Sequence, residues 1–140
     1  MQISANYNLE DFTRSQTATR LGFTEQFTPN DEVINNLKNL VTNLLQPLRT
    51  YLGPGLVVSS GYRCERLNEA VKGKIHSQHL KGQAVDIEFY ENGVKDDKRI
   101  SDAVIHLQLD FDQMLNEYNF AWIHLSLCIG TNRKENLTIT

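Results

Sequence analysis

Apolar residues at Val33, Ile34, Leu37, Leu40, Val41, Leu44, Leu45 and Leu48 recur three and four positions apart, the spacing that gathers side chains on one face of a helix. Pro29-Asn30-Asp31 precedes this stripe, and Asn30 or Asp31 is suited to cap its first turn. Pro47 lacks an N–H and its ring crowds the preceding turn, so it should lie near the end of the helix or kink it. Gly53-Pro54-Gly55 breaks the pattern, and Leu56-Val57-Val58-Ser59 reads as a short buried strand. Residues 64–72 follow as a helix ended by Gly73, and residues 76–82 as a loop. From Gln83 to Tyr90 the period changes to two: Val85, Ile87 and Phe89 face one way, Ala84, Asp86 and Glu88 the other. Glu91-Asn92-Gly93 is a turn, and Ile100, Val104 and Leu107 mark a second amphipathic helix over 96–109. Phe111 to Tyr118 and Ala121 to Ile129 suit an antiparallel pair joined around Asn119. On its second strand Trp122, His124, Ser126 and Cys128 share one face, while Ile123, Leu125 and Leu127 enter the core. The first thirty residues are polar, with Leu9, Phe12, Leu21, Phe23 and Phe27 as anchors and a short helix capped by Asn8. No repeat, low-complexity segment or linker divides the chain. One domain over residues 1–140 is expected, of the α+β class: a small, mainly antiparallel sheet flanked by helices.

Composition narrows the functional classes. With 40% hydrophobic and 22% charged residues, the chain is ordinary for a soluble globular protein able to bury a real core. A net charge of −3 supplies no basic footprint, which argues against nucleic acid as a partner. No apolar run approaches membrane-spanning length. Met1 to Glu10 lacks a basic segment followed by an apolar core, so no secretory signal is visible and a cytoplasmic location is expected. Two cysteines, Cys64 and Cys128, do not make a disulfide framework.

The chemistry concentrates in Ser77-Gln-His79-Leu-Lys-Gly82-Gln-Ala84-Val-Asp86 and in Trp122-Ile-His124. Two histidines and a carboxylate hold Zn²⁺ at three positions and leave the fourth open for water, as a catalytic site requires; other divalent ions also accept such a set. Gly82 permits a tight turn between His79 and Asp86, and Ala84 is small enough to let another group approach Asp86. Asp86 lies on the polar face of its strand and can face a cleft. Of the remaining histidines, His76 lies three residues before His79 and could compete with it as a ligand, while His106 reads as a structural mid-helix residue. Cys128 is four strand residues from His124, about 13 Å, too far to bind the same ion.

Ser60-Gly61-Tyr62-Arg63, then the Ser77-to-Asp86 motif, then Trp122-x-His124 together resemble the zinc D-Ala-D-Ala carboxypeptidases and peptidoglycan endopeptidases, the M15 peptidases, over roughly residues 6–128. The resemblance is to the small single-domain members of phages and bacteria, and it implies a hedgehog/DD-peptidase-like fold. It assigns the metal to His79, Asp86 and His124. It gives Arg63 a role in binding or polarising substrate near the scissile bond, and Ser77 one in binding substrate. Many relatives carry an acid a few positions before the last histidine. Here residues 119–123 hold none, and the nearest acid is Glu117, which a hairpin would bring beside His124 as general base. The implied activity is zinc-dependent hydrolysis of peptidoglycan stem peptides by a monomer, with release to the cell wall during phage lysis. Two rivals remain: a non-catalytic zinc-containing binding module, as hedgehog-type relatives suggest, and a phage assembly protein with a relic site.

Overall fold

Two short helices form in the polar N-terminal stretch, α1 (Glu10–Thr13) and α2 (Gln16–Leu21). Ser15 caps the second, its hydroxyl accepting the Ala18 N–H at 3.1 Å. At the first, Asn8 does not cap; instead the Asp11 carboxylate accepts the Asn8 N–H at 2.8 Å. Phe12 is fully buried, but Leu21 and Phe27, expected as anchors, are exposed, and Tyr7 is buried instead. The computed structural model describes residues 1–117 and 119–139; Tyr118, the last residue of one expected strand, and Thr140 lie outside the described residues.

Asn30 caps the long helix by accepting the Val33 N–H at 3.0 Å. Pro47 does not end that helix. It runs as α3 (Asp31–Leu40), a π-helical stretch (Val41–Leu45) and α4 (Gln46–Leu52), with the proline in the first turn of α4. The wider π turn lies over Asn43, the carbonyl that the proline ring would otherwise strike, so the apolar stripe continues past it. Val33, Leu37, Leu40, Val41, Leu44, Leu45 and Leu48 are all buried.

Next come β1 (Leu56–Ser60), α5 (Glu65–Ala70), a 3₁₀ turn (Gln78–Lys81), β2 (Ala84–Glu91), β3 (Val94–Lys95), α6 (Lys98–His106), β4 (Gln113–Glu117), β5 (Trp122–Ser126) and β6 (Glu135–Ile139). The sheet order is β1-β2-β5-β4-β6, with β3 paired to β2 by a tight turn at Asn92-Gly93, both with positive φ. Every pairing is antiparallel except β4 with β6. This is the expected α+β class. β1 proves to be an edge strand, with Leu56 buried and Val57 exposed, rather than a buried one. His106 ends α6 and is exposed beside Tyr51, not mid-helix against the core.

Val85, Ile87, Phe89, Met114, Ile123 and Leu125 form the inner face of the sheet and pack with the long helix in one core. Strand alternation then sends Ala84, Asp86, Trp122, His124, Leu115 and Glu117 to the opposite face. A single register therefore sets both the core and the chemistry, since a slip of one residue would exchange them.

Candidate metal centre

Asp86 and His124 are direct cross-strand partners, and His124 is in turn opposite Leu115. His79 reaches the same point from the 3₁₀ turn. Ser77 shapes that turn by accepting the His79 N–H at 3.2 Å, and Gly82 closes it with φ +72°. A Cβ on Gly82 would come within 2.7 Å of the Val33 carbonyl, so helix α3 seats the loop as closely as it does only because residue 82 is glycine. Asn36 on the same helix donates to the Lys81 carbonyl at 2.9 Å.

One donor atom from each of His79, Asp86 and His124 lies within 4.8 Å of the others. Asp86 Oδ1 is 3.3 Å from His79 Nε2 and 3.1 Å from His124 Nδ1. The tautomer of His79 is set by its surroundings. Its Nδ1 is 2.7 Å from the Gly61 carbonyl, an acceptor only, so Nδ1 carries the proton. Nε2 is then a bare lone pair, buried without a hydrogen bond and aimed at a carboxylate oxygen. Two lone pairs in that position repel unless a cation lies between them. A histidine oriented through its far nitrogen by a backbone carbonyl is the usual support of a metal ligand. The residues present therefore fit a divalent ion. Burial pushes the Asp86 carboxyl up, but its contacts with the imidazole rings, the His124 hydrogen bond first among them, outweigh it and hold the group ionised well below the ordinary carboxylate range.

Arg63 stands on the far side of Asp86. Its Nη2 is 3.5 Å from Asp86 Oδ2, its Nη1 donates to Asn68 Oδ1 at 3.1 Å, and its backbone N–H donates to the His79 carbonyl at 3.0 Å. Burial lowers its pKa, while the charges of Asp86 and Glu117 raise it. Glu117 sits on the face of the site, opposite Trp122 and diagonal to His124. Arg63, His76, Ser77, His79, Asp86, Glu117, Trp122 and His124 all line one cleft of about 710 Å³. Cys128 lies past the end of β5 as a free thiol, accepting a 3.4 Å contact from Gln78; Cys64 is also free.

Two further polar residues, given no role in the sequence reading, support the site. Gln26, fully buried, donates to the carbonyls of Thr13 (2.9 Å) and Tyr62 (2.8 Å) and accepts the Cys64 N–H (2.8 Å), pinning the segment that bears Arg63. Asp112, also buried, accepts from Gln78 at 2.9 Å and from the backbone and guanidinium of Arg133, thereby tying the metal loop to β4 and β6. The Arg133 bonds hold the Asp112 carboxyl at about 2. Because its folded pKa lies below the unfolded value of about 3.9, it stabilises the fold above that value and progressively less as pH falls towards 2. Asp112→Asn should therefore cost roughly 1–2 kcal/mol at pH 7, discounted for the half-exposed arginine, with the gap narrowing below pH 4. Urea unfolding at pH 7 and pH 3 measures it; an equal gap at both would refute the ionic account.

The L-Ala D-Glu endopeptidase ChiX of Serratia marcescens is 18% identical, with a TM-score of 0.43 over 70% of this chain and 87% of that one, too loose a likeness to bear on fold or site. Among curated proteins none matches. The family model for Peptidase M15 matches residues 5–126, a span that runs from the N-terminal helices through the end of β5 and takes in all three candidate ligands: the chain belongs to the Peptidase M15 family.

Proposed function

We propose that this protein is a zinc metallopeptidase that hydrolyses peptidoglycan stem peptides, at bonds to D-amino acids. The observation that carries the reading is the orphaned His79 Nε2, facing Asp86 and His124 inside the shared cleft. His79, Asp86 and His124 would hold the ion, which supplies Lewis acidity to the scissile carbonyl and to the attacking water.

The remaining steps fall to the chain's own side chains. The Glu117 carboxylate takes a proton from the attacking water and returns it to the leaving amine. Arg63 keeps Asp86 in place with one nitrogen; its guanidinium has five N–H groups, and those not engaged by Asp86 and Asn68 are available to the carbonyl oxygen as charge develops there. Ser77 accepts from His79, which leaves its own O–H to donate to the substrate backbone.

Mass spectrometry of purified muropeptides, incubated with zinc-loaded and with chelated protein, tests this. Metal-dependent products are expected: loss of terminal D-Ala from a carboxypeptidase, shorter stem fragments from an endopeptidase. If no muropeptide is cut in a metal-dependent way, the reading fails and a zinc-containing binding module of the same fold replaces it.

A further inference from the structure

Helix α5 ends in an unusual way. The Gly73 N–H donates to the Asn68 carbonyl at 2.8 Å and the Lys72 N–H to the Glu69 carbonyl at 3.0 Å, the paired bonds of a left-handed helix terminus. The left-handed residue is Lys72, with φ 58°, where glycine or asparagine is the ordinary occupant. Gly73 is required next for a different reason: a Cβ there would lie 2.0 Å from Asn68 Oδ1 and 2.9 Å from Arg63 Nη1. The loop that follows is therefore packed directly against Arg63. Asn68 also holds it from beneath, donating to the Lys74 carbonyl at 2.9 Å, and the Ser77 N–H closes on that carbonyl at 3.1 Å.

This fixed loop forms one wall of the cleft and presents Lys72 and Lys74 to it. The other lining cations are matched: Arg63 faces Asp86, and Arg133 is bound by Asp112. Lys72 and Lys74 are exposed, and among the described residues no carboxylate lies within ion-pair distance of either. A chain of net charge −3 thus sets two unmatched ammonium groups beside its candidate site. A cation at a helix C-terminus complements the helix dipole, which accounts for Lys72 but not for Lys74. Ile75 between them is 82% exposed, an apolar contact suited to an alanyl methyl group.

We infer that Lys72 and Lys74 form a carboxylate-recognition wall that selects substrates bearing a free carboxylate close to the bond cut. The inference rests on the peptidase reading for the word substrate, but the recognition itself is a property of binding. Two sources supply such a group in a stem peptide: the C-terminal carboxylate, or the free α-carboxylate of a γ-linked D-Glu.

The test uses zinc-loaded Glu117→Gln protein and the peptide L-Ala-γ-D-Glu-L-Lys-D-Ala-D-Ala, compared with its C-terminal amide and with its D-isoglutamine form. Binding is followed by calorimetry and by fluorescence of Trp122, the chain's single tryptophan, which lines the cleft. Mass spectrometry checks that the peptides stay intact, and KM replaces Kd for any that is cut. The acid should bind about three- to tenfold more tightly than one of the amides, the range of one or two solvent-exposed charge pairs, and 0.5 M salt should weaken that preference. Lys72→Gln/Lys74→Gln should bring the ratio near 1, and Lys72→Glu/Lys74→Glu should invert it. Which amide loses affinity identifies the source of the carboxylate. An acid-to-amide ratio that the lysine substitutions leave unchanged for both pairs overturns the inference, as does the absence of binding by any peptide. Binding preference in this variant together with no hydrolysis of the same peptides by the zinc-loaded wild-type protein would instead sink the peptidase reading while leaving the carboxylate wall in place.

Discussion

Asp86→Asn should lower zinc affinity by more than about 100-fold and remove turnover with it. Loss of a group that merely orients a ligand costs about 10–100-fold, and Asp86 is the one anionic donor of the set, so its loss should exceed that range. Asparagine keeps the volume and a cross-strand place opposite His124, and the register of β2 should survive. What it cannot keep is the charge. Arg63, with its side chain only 16% exposed, would lose its nearest counter-ion. It retains the Asn68 bond and the field of Glu117, so the fold should weaken by about 1–3 kcal/mol, less than a fully buried broken ion pair costs. Competition with a chromophoric chelator measures the affinity, and urea unfolding the stability. His79→Ala should behave similarly towards the metal, whereas His76→Ala should leave metal stoichiometry intact, because His76 is an exposed wall residue outside the cluster. Unchanged zinc affinity in Asp86→Asn would remove the centre as described.

The parts of this molecule legible in its sequence are those where one residue type has one physical use. The Val33-to-Leu48 stripe has the width of a core-facing helix and is buried as such, and the alternation from Ala84 to Phe89 fixed which side of β2 would carry Asp86. His79, Asp86 and His124 are adjacent in space as their motifs suggested, and Glu117 and Ser77 line the same cleft. The losses have physical causes. Helix α6 ends on left-handed Gln108, a residue that carries none of the glycine signal by which a helix end is read, whereas Gly73 marked the end of α5. The passage of the long helix through Pro47 depends on a π turn, which has no signature of its own. β6 is an exposed edge strand held by its parallel pairing with β4 and by Arg133 on Asp112, not by an apolar pattern. Gln26 acts through bonds to partners 13 to 38 residues away, and a polar residue with such partners looks like any other polar residue in a sequence.

Glu117→Gln should lower kcat by about 10²- to 10⁴-fold while leaving zinc content unchanged, since a positioned general base contributes about that much and Glu117 is not among the three clustered ligands. The case for it rests on register. β4 and β5 are paired so that Glu117 opposes Trp122, and strand alternation puts it on the face shared by His124 and Asp86, one diagonal step from the metal ligands. An acid placed instead on the loop just before His124 would approach from the strand end; here the neighbouring strand supplies it, and a strand holds a side chain more rigidly than a loop does. Glutamine preserves shape and strand pairing but has no proton-accepting oxygen of carboxylate basicity, so KM should change much less than kcat. The expected split is a large fall in kcat, a modest change in KM from the altered field at Arg63, and a full zinc complement by elemental analysis. A variant that retains wild-type kcat would leave the site without a base among its lining acids, because the other one, Asp86, is occupied in holding the ion and Arg63.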